Sequence, residues 1–272
     1  MPRDKATQLG QQVLRILQSG SYSTSAGRHV DIAAAIQRCR AGTIEHPPDD
    51  AIPMPARRAT RTRITVENRT VLEVGQRMAE AGPVAALNFA SATHPGGGFL
   101  NGARAQEEAI ARSSALYAAL EGRRMYDWHR EHSDGMHSDW VIHSPEVPVF
   151  RTDEGELLDR PWTMSIVTCA AVNGKTLERY APAERLGEVP AVMTRRTARM
   201  LSVAAHHGVR RFILGAWGCG AFGLDPAMMA GIFRDALQGP FRGVFDEVTF
   251  AITDWSPDQR TIGPFQLAFE RE

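Results

Sequence analysis

Asn88-Phe89-Ala90-Ser91-Ala92-Thr93-His94-Pro95-Gly96-Gly97-Gly98-Phe99 and, after a gap of seven residues beyond the glycines, Gln106-Glu107-Glu108 form the most informative stretch of the chain. The apolar run Val84 to Phe89 predicts a strand leading into it, and the spacing from about Ala103 to Leu120 predicts a helix leading out. Three residues without Cβ let the backbone take positive φ and press close to a ligand, offering amide N–H groups to a ribose or phosphate. Alone, such a run is a flexible turn, and two glutamates in a first helical turn merely complement the helix dipole. Together they say more, because the loop fixes where a sugar sits and the helix start carries carboxylates to its edge.

That arrangement suits glycosidic cleavage. A carboxylic acid protonates the departing oxygen, and the same group as carboxylate then activates water against an oxocarbenium-like centre. Adjacent helical residues point about 100° apart, so Glu107 and Glu108 are expected to divide the work, one acting and the other holding the ribose. A helix N-terminus lowers a nearby carboxyl pKa, whereas an acid working near neutrality needs it raised. The expectation is that the second glutamate and a bound diphosphate push it upward.

Outward from this stretch, strand and helix signals alternate. Strands are predicted at Ile64 to Val66, Met164 to Cys169, Arg211 to Ala216 and Glu247 to Thr253, and helices at Thr70 to Ala81, Ala191 to His207 and Pro226 to Leu237. The pattern predicts an α/β sandwich whose buried sheet is covered by helices on both faces. There is no internal repeat or low-complexity tract. Met1 to Gly20 reads as an amphipathic helix and not a signal peptide. Ser21 to Arg63 is polar and punctuated by His46-Pro47-Pro48-Asp49-Asp50 and Pro53-Met54-Pro55, a lead-in of loops and short elements. Residues 1–62 are therefore expected to form an accessory helical segment packed on a catalytic domain spanning 63–272. The basic run from Arg57 to Arg63 reads as solvated surface.

The 31 basic and 31 acidic residues leave no net charge, so nothing points to direct nucleic-acid binding, and any anionic ligand must be held locally. Cys39, Cys169 and Cys219 are odd in number and widely spaced, as reduced thiols would be. With no apolar run long enough to span a bilayer, a cytoplasmic, membrane-independent protein is expected.

A second glycine loop follows the predicted strand at Phe212: Gly215-Ala216-Trp217-Gly218-Cys219-Gly220-Ala221-Phe222-Gly223-Leu224-Asp225-Pro226. Gly218, Gly220 and Gly223 spell a dinucleotide-binding pattern. Here, however, Asp225 and Pro226 read as N-cap and first residue of a helix that begins after the motif, and Asp246 and Glu247 open the next strand instead of ending it. The loop still suits a diphosphate. Phe222 reads either as a wall of the sugar site or as buried packing. Cys219 would be nucleophilic as a thiolate, but no histidine is placed to activate it. His94, His206 and His207 read as loop or helix-surface residues, and HxxxH spacing is missing, so no metal is expected.

The glycine triplet, the seven-residue gap and Gln106-Glu107-Glu108 resemble the signature of poly(ADP-ribose) glycohydrolases. Asn88-Phe89-Ala90-Ser91 and Arg112-Ser113-Ser114 around it are similar to the bacterial branch, as are Ser144 to Arg151, Ser165 to Asn173 and Gly215 to Gly223. The resemblance spans Ile64 to Asp254. It implies a three-layer α/β/α macrodomain with a central mixed sheet, Glu108 as acid/base and Glu107 bonded to ribose hydroxyls. It further implies that Asn88, Ala90, Ser91, Gly96, Gly97, Gly98, Phe99 and Gln106 surround the scissile ribose, while Gly218, Cys219, Gly220, Ala221 and Phe222 hold diphosphate and ribose. No cofactor is implied. The partners would be poly(ADP-ribose) or ADP-ribosylated proteins and the product ADP-ribose, handled by a monomer that reverses ADP-ribosylation, as in a DNA damage response. Thr168-Cys169-Ala170-Ala171 lacks a proline expected in the bacterial branch, which affects local loop shape. The other readings are a catalytically silent ADP-ribose-binding module and a nucleotide enzyme of another kind. Adenine contacts from Thr65 to Glu67 or from Asp254 and Trp255, and cleavage within the polymer or at its end, stay open.

Overall fold

The structure is a computed structural model that describes residues 1–56 and 61–269. Most of the basic run read as surface, residues 57–60, lies outside the described residues. The chain opens with helix α1 (Arg3–Ser19), a hairpin of β1 (Ser21–Ser23) and β2 (His29–Asp31), helix α2 (Ala33–Gly42) and strand β3 (Ile44–His46). The body follows as β4 (Arg63–Glu67), α3 (Val71–Glu80), β5 (Ala85–Phe89), α4 (Gln106–Ser113), α5 (Leu116–Leu120) and α6 (Arg124–Glu131). It continues with β6 (Val141–Arg151), β7 (Leu157–Cys169), α7 (Gly174–Tyr180), α8 (Ala183–His206), β8 (Arg211–Leu214), α9 (Pro226–Gln238), β9 (Glu247–Ala251) and α10 (Ile262–Phe269).

Seven strands form one mixed sheet in the order β3-β6-β7-β5-β8-β9-β4, antiparallel from β3 to β7 and parallel from β7 to β4. Successive side chains on a strand face opposite sides. Ala85 and Leu87 accordingly join a core with Phe212, Leu214, Met200 and Phe233, under α8 and α9. Val84 and Ala86 join another with Ile213, Met78 and Ile110, under α3 and α4. This is the expected three-layer α/β/α arrangement, and its parallel half places the C-terminal ends of β5, β8 and β9 along one edge, where open α/β sheets bind ligands.

Local chemistry sets the helix starts. Thr70 and Glu73 form a reciprocal capping box at α3, with Glu73 N–H donating to Thr70 Oγ1 (3.1 Å) and Thr70 N–H to Glu73 Oε2 (2.8 Å). Asp225 accepts from the amides of Ala227 and Met228, with Pro226 first in α9. Several elements depart from the sequence reading. The helix expected from Ala103 to Leu120 is broken after Ser113, because Ser114 bridges to Val149 and Ala115 N–H donates to the Pro148 carbonyl (3.0 Å). Strand β6 was masked by Pro145 and Pro148. It accommodates them beyond the reach of β3, at a register shift where Glu146 takes a φ of 45°. Helix α8 begins at Ala183 and carries Pro190 inside it.

The N-terminal segment is fastened to the body. Val13 and Ile16 of α1 pack with Ile36, Phe99, Ala115 and Phe150, each such side chain contributing about 1.5–3 kcal/mol through burial. The helix lies so close that a Cβ on Gly10 would stand 2.6 Å from the Phe99 carbonyl oxygen. Arg151, buried, donates to the Arg112 carbonyl and to Gln12 Oε1 (2.7 Å), tying α4 to α1; burial lowers its pKa to about 10.

One histidine differs from expectation. His207 is half-buried instead of lying on the surface. Its Nε2 is 2.8 Å from His46 Nε2, and its ring stacks on His143 with centroids 3.9 Å apart, which secures β3 and the residues after it to the end of α8.

Candidate active site

Strand β5 delivers the chain into the first glycine loop, and α4 returns along it. The Gln106 side chain welds the two, accepting from Phe89 N–H (2.9 Å) and donating to the Leu87 carbonyl (2.7 Å). With both ends of its amide engaged by the main chain, Gln106 acts here by placing the first turn of α4. Glu107 and Glu108 follow at once and are 3% and 8% exposed. Ser91 N–H donates to Glu107 Oε2 (2.6 Å) and Asn88 Nδ2 to Glu107 Oε1 (3.2 Å), while Gly98 N–H donates to Glu108 Oε1 (2.9 Å).

The glycine triplet makes a close approach to the carboxylate pair, where the sequence reading named a ribose or phosphate. Gly96 and Gly97 have φ of 70° and 60°, and a Cβ on Gly97 would lie 2.3 Å from Glu108 Oε1 and 2.9 Å from Glu107 Oε2. Only glycine lets the backbone rest against both carboxylates. A Cβ on Gly96 would instead meet the Phe99 ring at 3.0 Å, so Phe99, buried, supports the loop from beneath. Ala90, also buried, continues the sheet by donating its N–H to the Cys169 carbonyl (3.3 Å). The first loop thus brings Asn88, Ser91, Gly97 and Gly98 onto the carboxylates, with Ala90 and Phe99 buried as framework and Gln106 lining the adjoining cavity.

Burial raises the Glu107 pKa from 4.5 to about 8. Hydrogen bonds from Ser91 and Asn88 oppose the rise, and the neighbouring Glu108 adds to it. The rise falls on Glu107, the expected ribose ligand, with desolvation as its largest cause and the negative charge of Glu108 a lesser one. Asn88 donates to Glu107 and its Oδ1 has no partner among the described residues. An amide turned over would present that oxygen to a proton on Glu107 Oε1.

A cavity of about 640 Å³ passes between Arg104–Gln106, the residues just before the two carboxylates in the chain, the second glycine loop and the segment after β9. From the second loop, Gly218, Gly220, Ala221 and Phe222 line it. Gly218 has a φ of 80°, and a Cβ there would lie 2.5 Å from Leu224; at Gly220 the space is open. Cys219 turns away, its Sγ 3.7 Å from the Trp217 carbonyl oxygen, and burial pushes its pKa up to about 12. A thiol so placed is not a nucleophile at neutral pH.

Sequence reasoning missed the far wall. Arg69, Thr70, Arg112 and Asp153 line the cavity from the residues just before α3, from α4 and from the turn after β6, with Thr70 Oγ1 donating to Asp153 Oδ2 at 2.6 Å. Arg112 is buried, which lowers its pKa, and burial raises that of Asp153. Asp254, one of the two sources of adenine contacts left open, spends its carboxylate on the hydroxyl and amide of Ser256 and on the amides of Ile262 and Thr261, which lowers its pKa and closes a turn. Trp255, 84% exposed, stands at the cavity mouth.

A family model described as "Microbial-type PARG, catalytic domain" matches residues 10–152. The solved poly(ADP-ribose) glycohydrolase (PARG) from Thermomonospora curvata is 39% identical, with a TM-score of 0.91 over 98% of this chain and 100% of that chain. The same protein bound to the inhibitor ADP-HPD gives 39% and 0.89 over equal shares. The PARG from Deinococcus radiodurans in complex with ADP-ribose is 38% identical, with a TM-score of 0.82 over 86% of this chain and 97% of that chain. No curated protein matches the chain. Glycine loop, carboxylate pair and sheet all agree with these likenesses, and the chain belongs to the microbial-type poly(ADP-ribose) glycohydrolases.

Proposed function

We propose that this glycosidase hydrolyses ribose-to-ribose bonds of poly(ADP-ribose) and releases ADP-ribose, with Glu108 as general acid and base. The observation that carries the residue assignment is an asymmetry within the pair. Glu107 accepts hydrogen bonds at both oxygens, whereas Glu108 is tethered only at Oε1 and its Oε2 is buried with no partner among the described residues. The uncommitted oxygen belongs to Glu108. As an acid it gives its proton to the departing ribose oxygen while the C1–O bond breaks; as carboxylate it takes a proton from the water that adds to C1, and the starting state returns. Glu107, held neutral by burial, meets the ribose hydroxyls. The cavity between the start of α4 and the second glycine loop receives the rest of the ADP-ribose unit, with the diphosphate against Gly218 to Phe222.

A second reading makes Glu107 the proton donor, favoured by its raised pKa. Digestion of polymer by Glu108→Gln and Glu107→Gln separates the two. On the main reading Glu108→Gln loses about 10²–10⁴-fold in kcat while still binding ADP-ribose, and Glu107→Gln chiefly raises KM. Full activity in Glu108→Gln sinks the assignment, and a wild type that binds ADP-ribose but releases none is the silent binding module. The proposal extends to ADP-ribosylated proteins as partners of a monomeric, cytoplasmic enzyme in a DNA damage response. Among the described residues no helix is long and apolar enough to cross a membrane.

A further inference from the structure

Between the two glycine loops lies a histidine pair that the reaction, as proposed, leaves unused. His129 on α6 is buried, its Nε2 facing both the N–H and the Oγ of Ser138 (2.9 Å each), with the main chain of Ala92 in the first glycine loop beside its ring. His137 follows in the loop after α6. Its Nδ1 donates to the Ala171 carbonyl at the end of β7 (2.8 Å), and its ring centroid is 5.6 Å from His129 and 5.9 Å from Phe222. The pair therefore reaches from the loop that holds the carboxylates to the aromatic ring of the opposite wall.

His137 also has a φ of 57°, the left-handed region that favours glycine. Such a conformation persists only where the surroundings impose it. The buried Arg196 does so, donating to the carbonyls of Ala170 (3.0 Å), Met136 (2.9 Å) and His137 (3.2 Å) and to Asp139 (2.9 Å). Glycine would meet that φ without strain, so what the histidine adds lies in the contacts of its ring. Burial lowers the pKa of both histidines, that of His129 to about 4, and the pair is uncharged near neutrality.

We infer that His137 is a positioning residue, which holds Phe222 and the end of β7 where the ribose is seated against the carboxylate pair. This rests on the glycohydrolase reading and adds to it a residue that acts through Phe222 and touches no substrate. The test is a double-mutant cycle of His137→Gly and Phe222→Leu, read as kcat and KM on polymer, ADP-ribose affinity and melting temperature. His137→Gly relieves the φ but gives up the ring's packing and its hydrogen bond to Ala171, so it is expected to melt only slightly below wild type and to stay folded at the assay temperature. Its kcat falls about tenfold or more while KM moves less than about threefold, the result of a misplaced ribose. The double variant is slower than Phe222→Leu alone by no more than about twofold. His137→Asn, which tolerates the left-handed region and keeps an N–H for Ala171, recovers part of kcat. An unchanged kcat in His137→Gly, losses that multiply in the double variant, or a loss that merely tracks an unfolded fraction overturns the inference. If wild type itself does not cleave polymer, it is the functional reading that fails.

Discussion

Replacing Glu107 by glutamine removes a carboxyl of the site whose protonation is set mainly by burial, and the consequence is a pH-dependent change in stability. The native carboxyl titrates at about 8 instead of 4.5, with desolvation as the largest cause. Below pH 4.5 folded and unfolded chains both hold the proton, and the group favours neither. Between 4.5 and 8 the unfolded chain ionises while the folded one does not, so folding stability declines with rising pH and levels off above 8. At about 1.36 kcal/mol per unit, the full shift is on the order of 5 kcal/mol. Glutamine matches the protonated shape and does not titrate, so Glu107→Gln should gain on wild type as pH rises. For a chain of this size that corresponds to a relative gain in melting temperature on the order of 10 °C between pH 5 and pH 8. Thermal unfolding of both proteins across that range, followed by circular dichroism, cancels every other titrating group in the difference. Parallel curves would refute the burial argument. A wild type that gains on the variant toward pH 8 would mean that Glu107 is ionised and stabilised in the folded state.

Two further substitutions follow from the loops. Gly97→Ala sets a Cβ 2.3 Å from Glu108 Oε1 at a φ of 60°, and displacing that carboxylate by about 1 Å should cost about 10²-fold in kcat on polymer. The control is Gly220→Ala, where nothing lies within 4 Å; it should keep its melting temperature and kcat and lose only affinity for ADP-ribose by calorimetry. Equal kinetic effects at the two positions would contradict the close approach at Gly97. Cys219→Ala should retain polymer digestion within about twofold, and wild type should resist alkylation at neutral pH, since a thiol that titrates near 12 presents almost no thiolate. Rapid inactivation by iodoacetamide that the alanine variant escapes would count against this.

Much of the fold was legible because period and punctuation agree along the parallel half of the sheet. The predicted strands β4, β5, β8 and β9 and helices α3 and α9 match the structure to within a few residues, with Thr70 and Asp225 as real caps. The antiparallel half was harder to read. Its β6 carries two prolines that propensity assigns to loops, and they are tolerated only because neither opposes β3, a fact of pairing and not of local sequence. The break at Ser114 is likewise tertiary, imposed by Pro148 and Val149 across the sheet edge. In the site, the glycine triplet and the glutamates were readable because their spacing lies within one strand-loop-helix unit. Arg69, Asp153 and His137 come from other units, and nothing in their neighbouring residues marks them.

The same distinction explains why the accessory segment belongs to the chemistry. Glu108 is held by the Gly98 amide, Gly98 is followed by Phe99, and Phe99 carries its carbonyl against Gly10 of α1. On the other side Arg151 joins the Arg112 carbonyl, at the end of the helix that begins with the glutamates, to Gln12 of α1. Two supports of the carboxylate pair thus end on one N-terminal helix whose Val13 and Ile16 are buried with Phe99. An active site built on a loop requires such fixation, since hydrogen bonds from glycine amides aim a carboxylate only as well as the glycines themselves are held. In the proposed reaction the helix supplies no group, and the geometry of Glu108 depends on where it docks.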